Sequence, residues 1–145
     1  MLTFPVLALI AATLFASAAA YITLVEHPAR LGLDDASLLG QWQPSYKRAL
    51  PIQAGLAVIG GAAGLVSFYQ LHDWQWLVGS IVLLANWPFT LFVIMPTNKR
   101  LLAMPLEDAG AESRRLLLRW GKLHNVRTAL GSVAAMVFAW DLLAG

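Results

Sequence analysis

The sequence predicts an all-α protein, a four-helix transmembrane bundle with both termini outside the cytoplasm. Three observations carry this. Four apolar runs, at about 4–26, 49–69, 74–97 and 123–143, are each about 20 residues or longer, enough to cross a hydrocarbon core of ~30 Å as a helix. The composition is 59% hydrophobic and 12% charged, with a mean hydropathy of +0.65, whereas soluble domains carry about 25% charged residues. All ten basic residues fall in two stretches: Arg30, Lys47 and Arg48, then Lys99, Arg100, Arg114, Arg115, Arg119, Lys122 and Arg127. The two stretches flank alternate runs and so lie on one side of the membrane, which the positive-inside rule makes cytoplasmic. The expectation is a multi-pass protein of the inner (plasma) membrane, N-out and C-out.

The 145 residues form one domain, 1–145. The sequence pI of 9.3 would suggest nucleic acid in a soluble protein. Here the basic side chains cluster at membrane boundaries and read as topology determinants and anionic-lipid contacts, so no nucleic-acid partner is expected. With no cysteine, disulfides, iron–sulfur clusters and thiolate zinc sites are excluded.

In the first run, Ala16-Ser17-Ala18 resembles a signal cleavage site, but there is no basic n-region and the apolar stretch continues to Val25. It is read as a retained helix, with Ala8, Ala12, Ala16 and Ala20 forming a small-residue stripe. Between His27 and about Tyr46, Asp34 and Asp35 can cap a short helix carrying Leu38, Leu39 and Trp42, expected to lie along the cytoplasmic interface. Pro51 then falls in the first turn of helix 2. Gly60 and Gly64 in helix 2, and Gly131, Ala135 and Ala139 in helix 4, allow close helix packing in lipid. The short turn at His72–Asp73 makes helices 2 and 3 antiparallel neighbours. Tyr69, Trp74, Trp76 and Trp140 lie near outer ends and suggest an aromatic belt. The last helix is expected to begin near Ala111 or Glu112, well before the membrane. At ~1.5 Å per residue it would be about 50 Å long and project into the cytoplasm.

Ionisable and amide groups in spans are costly and generally face the bundle interior. Glu26 and His27 close helix 1, Asn98 closes helix 3, and His124 and Arg127 open helix 4, all at one height. Trp120, His124 and Arg127 share a helix face at i, i+4, i+7. Asn86 stands apart near the middle of helix 3, followed by Pro88, which frees a backbone carbonyl. Each has a structural reading: Arg127 snorkelling to phosphates, Glu26 pairing with Arg30, Asn98 ending a helix. Together they suggest a polar pocket at the cytoplasmic ends of helices 1, 3 and 4.

Three chemistries fit these residues. His27 or His124 suits a general base, with Arg127 holding a developing oxyanion. Glu26, His27 and His124 suit a divalent metal, although adjacent Glu26 and His27 point about 100° apart on a helix. Axial haem ligation by the two histidines is the third. The cofactor is left open: none, a metal or haem.

Four strings, Val25-Glu26-His27-Pro28-Ala29-Arg30, Trp87-Pro88-Phe89-Thr90, Met95-Pro96-Thr97-Asn98-Lys99 and Trp120-Gly121-Lys122-Leu123-His124-Asn125-Val126-Arg127, resemble the DUF1772 family, which includes fungal anthrone oxygenases. The resemblance covers nearly the whole chain. It implies a small four-helix membrane protein and, for the anthrone oxygenase members, oxidation of a polyketide anthrone to an anthraquinone by molecular oxygen without flavin or haem. On this resemblance His27, Asn98, Trp120, His124 and Arg127 are pocket residues; the chemistry of the side chains makes His27, His124 and Arg127 the expected catalytic groups and Asn86, Asn98 and Trp120 the expected substrate-binding ones. The expected function is an oxidase or oxygenase of an apolar aromatic or quinone-like compound. The alternatives are a non-catalytic haem, metal or quinone binder, and an accessory subunit of a larger membrane complex. Expected partners are the bilayer, a hydrophobic small molecule, and a second copy or a larger assembly.

Overall fold

A computed structural model of the chain describes residues 2–144, and within them the four predicted spans are four long helices. They are α1 (Thr3–Leu31), α2 (Asp35–Leu71), α3 (Trp74–Ala103) and α4 (Ala111–Ala144), joined in up-down-up-down order by short turns. α1 and α3 each pack against α2 and α4, closing a four-cornered bundle. α2 ends in a left-handed turn at His72, φ 58°, whose N–H bonds the Phe68 carbonyl.

Loop 1 differs from the expectation. The helix capped by Asp34, whose carboxylate accepts the Ser37 N–H at 3.0 Å, does not lie along an interface but continues unbroken into the second span. Pro44 and Pro51 both sit inside α2, which absorbs two missing N–H groups. Leu38, Leu39 and Trp42 are covered by protein, packing with Leu101, Leu116, Leu117 and Trp120. The early turns of α4 therefore do not project alone. Two amphipathic extensions bury each other's apolar faces and prolong the bundle beyond the apolar runs. Arg114 fastens them by bonding Asp35 at 2.5 Å and the Leu31 and Leu33 carbonyls at 3.0 and 2.6 Å. α4 begins at Ala111, as its polar first turn predicts.

A second cluster fills the other half: Ala8, Ala12, Phe15 and Ala19 of α1, Ala57 and Ala63 of α2, Trp76 and Leu83 of α3, and Ala134 and Phe138 of α4. Trp76 belongs to this core, stacked on Phe138 at 5.2 Å, and not to the aromatic belt. Tyr69, Trp74 and Trp140 are exposed at that end. Ala134, one position before the expected Ala135, faces the centre. Small residues set the spacing: a Cβ on Gly131 would lie 2.5 Å from Phe15 Cδ1. That clearance lets the Phe15 ring pass under α4.

Two helices change pitch where the polar residues gather. α1 widens into a π turn at Ile22–Glu26, just before His27. α3 breaks at Ala85 and widens at Thr90–Ile94, after Pro88 has removed an N–H. Such turns shift backbone register and leave carbonyls for side chains.

A candidate site at the Trp120 and Arg127 face of helix 4

The predicted face of α4 turns inward: Trp120, His124 and Arg127 are all buried. Trp120 is the hub. Its ring packs against His27 at 5.1 Å, stacks on His124 at 4.9 Å and meets the edge of Trp42 at 5.7 Å. The Arg30 guanidinium lies 5.9 Å from the ring centre. His27 fits because residue 121 is glycine, where a Cβ would stand 2.5 Å from His27 Nε2.

The hydrogen bond of His124 settles its tautomer. Nε2 lies 3.3 Å from the Ala19 carbonyl oxygen, which can only accept, so Nε2 carries the proton. Nδ1 is then the basic nitrogen. His27 has no such anchor: neither ring nitrogen meets a partner with hydrogen-bond geometry, although the Leu117 carbonyl lies beside the ring.

Arg127 is 6% exposed, and no carboxylate pairs with it among the described residues. Nη2 donates to Gln53 Oε1 at 2.9 Å, the guanidinium stands 5.6 Å from the Phe15 ring centre, and Nε has no partner. A buried charge without a counter-charge is expensive, and here only the Gln53 amide and the Phe15 ring offset it.

A cavity of about 290 Å³ begins at this guanidinium. It lies between α2 and α3, with Phe15 and Arg127 at its inner end and Ala54, Ala57, Leu91 and Met95 among its walls. Pro51, Trp87 and Leu91, on the exposed outer faces of the two helices, stand at its mouth, so the cavity opens sideways. Trp87 Nε1 reaches across to the Ala54 carbonyl at 3.4 Å. Asn86 and Thr90 also line the cavity. Asn86 Nδ2 donates to the Leu83 carbonyl at 2.9 Å, leaving Oδ1 unpartnered, as is the Thr90 hydroxyl.

Beyond the Gln53–Arg127 pair lies a second cavity of about 20 Å³, bordered by Arg30, Ser45, Tyr46, Trp120 and His124. Leu50, Gln53 and Arg127 border both and form the partition. Glu26 does not border it but bonds two residues that do, accepting from Ser45 Oγ at 2.5 Å and pairing with Arg30, and it also accepts from Gln41 Nε2 at 3.2 Å.

The structure thus gathers Trp120, His124 and Arg127, and brings Asn86 to the same cavity system from α3. His27 touches Trp120 but lines neither cavity, and Asn98, whose Nδ2 donates to Tyr46 Oη at 2.8 Å, lines neither. Glu26 is engaged with Arg30, Ser45 and Gln41, and no group of three His, Asp or Glu suited to a metal exists among the described residues. Neither cavity is lined by both imidazoles, so no slot for a haem separates them. The donor set fits neither a metal nor axial haem ligation. Sequence reasoning missed Gln53, Tyr46, Ser45 and Phe15. Gln53 carried the signal used for Asn86, a lone amide within an apolar run.

Comparison with known proteins places the chain in a family. The family model described as anthrone oxygenase matches residues 42–137, from Trp42 through Gln53, Asn86, Trp120, His124 and Arg127 to the last turns of α4. The chain belongs to the anthrone oxygenase family. An anthrone oxygenase of Aspergillus fumigatus is 38% identical over 66 residues, 41% of this chain and 41% of that protein. One from a Cryptosporiopsis species is 30% identical over 109 residues, 69% of this chain and 61% of the relative. A third, from Claviceps purpurea, is 27% identical over 116 residues, 72% and 67%. The chain therefore spans between 41% and 67% of the length of these anthrone oxygenases. No solved structure gives a significant match.

Proposed function

We propose that the protein oxidises a flat, oxygen-bearing aromatic of the anthrone type with molecular oxygen, inside the 290 Å³ cavity between α2 and α3. The observation that carries this reading is the unpaired buried guanidinium of Arg127 at the inner end of an otherwise apolar, sideways-opening cavity. The names of the relatives give the same substrate class. The mouth at Pro51, Trp87 and Leu91 lies on helix faces that a bilayer would cover, which suits a poorly soluble ligand arriving through lipid.

The chemistry follows from the ligand's acidity. A methylene between two aromatic rings and opposite a carbonyl loses a proton to give a phenolate-like anion. Arg127, as a preorganised cation in a dry site, favours that anion where its negative oxygen develops. His124 Nδ1 is the base; it gains access when the guanidinium turns from Gln53 to the ligand oxygen and opens the partition. The electron-rich anion adds oxygen at the methylene carbon and takes up a proton to form a hydroperoxide. Removal of the remaining hydrogen from that carbon, with cleavage of the O–O bond, forms the new carbonyl. The departing hydroxide takes a proton and leaves as water. The methylene thus loses two hydrogens and gains one oxygen atom, and the other oxygen atom becomes water.

Oxygen uptake by detergent-purified protein with an anthrone tests the reading. One oxygen molecule per anthraquinone formed, at a rate strongly reduced in Arg127→Met, is the expected result. Tight binding of anthraquinones by a protein that consumes no oxygen with any anthrone would establish the second reading instead, a non-catalytic binder of quinone-like molecules, which the apolar walls equally favour.

A further inference from the structure

The small cavity behind the partition has properties that the oxidation itself does not use. Its volume of about 20 Å³ is that of a single water site, since a water needs roughly 10–15 Å³ of such space and two to four polar partners. Its lining supplies those partners from three helices: Arg30 from α1, Ser45, Tyr46 and Gln53 from α2, and His124 and Arg127 from α4. Arg30 Nε and Arg127 Nε are buried donors with no protein acceptor. A water that accepts from either of them relieves that donor and keeps its second lone pair for a further donor.

The cavity also leads somewhere. Ser45 lines it on one side and a surface groove with Gln41, Pro44 and Arg48 on the other. The Ser45 hydroxyl donates to Glu26 Oε1, the atom that also takes the bonds from Gln41 and Arg30, so Oε2 takes none of these three. The Glu26 side chain is 23% exposed, whereas that of Arg30 beside it is 3% exposed.

We propose that this cavity holds one water that passes protons between His124 and the Ser45–Glu26 pair, giving the buried base an aqueous outlet. The inference rests on the proposed function for the source of the proton. The ligand C–H gives its proton to His124 Nδ1, leaving the electron pair on the ligand anion. Imidazolium Nδ1–H passes a proton to the water, the water passes one to Ser45 Oγ, and the Ser45 hydroxyl passes its own to Glu26. The carboxylic acid then releases it to bulk water. Run in reverse, the route returns the protons taken up by the peroxide and the departing hydroxide. The charged and titratable groups around the water are Arg30 and Glu26 from α1, Tyr46 from α2, and His124 and Arg127 from α4, with His27 across Trp120.

Exchange of the anthrone methylene hydrogens for deuterium in deuterated buffer, with oxygen excluded, tests the outlet without the oxidation. Wild-type protein is expected to accelerate exchange above buffer. Glu26→Gln and Ser45→Ala are each expected to slow it by at least about tenfold, the scale of losing one proton-transfer group, while binding of redox-inert anthraquinone is unchanged. Glu26→Asp and Ser45→Thr restore the rate if the groups carry protons, and do not if they only pack. Exchange at the wild-type rate in both deletion variants overturns the outlet. Wild-type protein that neither accelerates exchange nor consumes oxygen with any anthrone defeats the proposed function instead. The outlet is then judged by a high-resolution experimental structure. Density for a water bonded to His124 and Ser45 supports the outlet; a dry or side-chain-filled cavity rejects it.

Discussion

At the scale of single residues, the two histidines have different environments and should respond differently to substitution. His124 is held in one tautomer by the Ala19 carbonyl and borders the small cavity, whereas His27 packs on Trp120 and Gly121 and borders neither cavity. His124→Ala is expected to lower the oxidation rate by about 10²–10⁴-fold, the usual contribution of a general base. His27→Ala is expected to affect thermal stability more than rate. Parallel measurement of kcat and melting temperature separates the two, and equal rate losses would return His27 to the chemistry. Arg127→Met should cost about 10²–10³-fold in kcat/KM, the scale of losing one preorganised oxyanion donor. Arg127→Lys should recover part of it, because a point charge replaces the fork.

At the scale of helices, close approaches shape the cavities as much as the polar groups do. Phe15 lies beneath α4 because residue 131 is glycine, and the same ring forms part of the large cavity's inner end. Gly131→Ala is therefore expected to displace Phe15 and destabilise the bundle by about 1–3 kcal/mol, as overpacking does. Anthraquinone affinity should fall with it, and an unchanged affinity in a titration of the purified variant would show that Phe15 does not shape the cavity. The π turns at Ile22–Glu26 and Thr90–Ile94 sit where α1 and α3 carry polar groups to the interior.

At the scale of the whole molecule, the basic side chains at the joined extensions of α2 and α4 support the cytoplasmic placement of that end. A reporter fused after Gly145 should then read as extracytoplasmic, and a cytoplasmic signal there would reverse the orientation. The extension itself is testable. Arg114 ties α4 to Asp35 and to two carbonyls of the α1–α2 turn, so Arg114→Ala should loosen that end. Faster amide exchange at residues 31–40, with the apolar spans unchanged, is the expected outcome.

The sequence by itself determined the four spans and the inward face of α4, because these depend on run length and helical periodicity along one chain, while the resemblance of its four motif strings pointed to the family. Asn86, too, was legible as an amide too costly to leave in lipid. Only the tertiary structure decided what covers each apolar face and where the empty space lies. Leu38, Leu39 and Trp42 read equally well as an interfacial helix, and it is the matching stripe of Leu116, Leu117 and Trp120 that buries them. The pocket forms between α2 and α3, where Gln53 meets Arg127 and the broken third helix leaves room, while His27 and Asn98 pack outside the cavities despite lying near the same height. Periodicity states which way a side chain faces; which neighbour it meets, and whether a gap remains between them, depends on the packing of four helices at once.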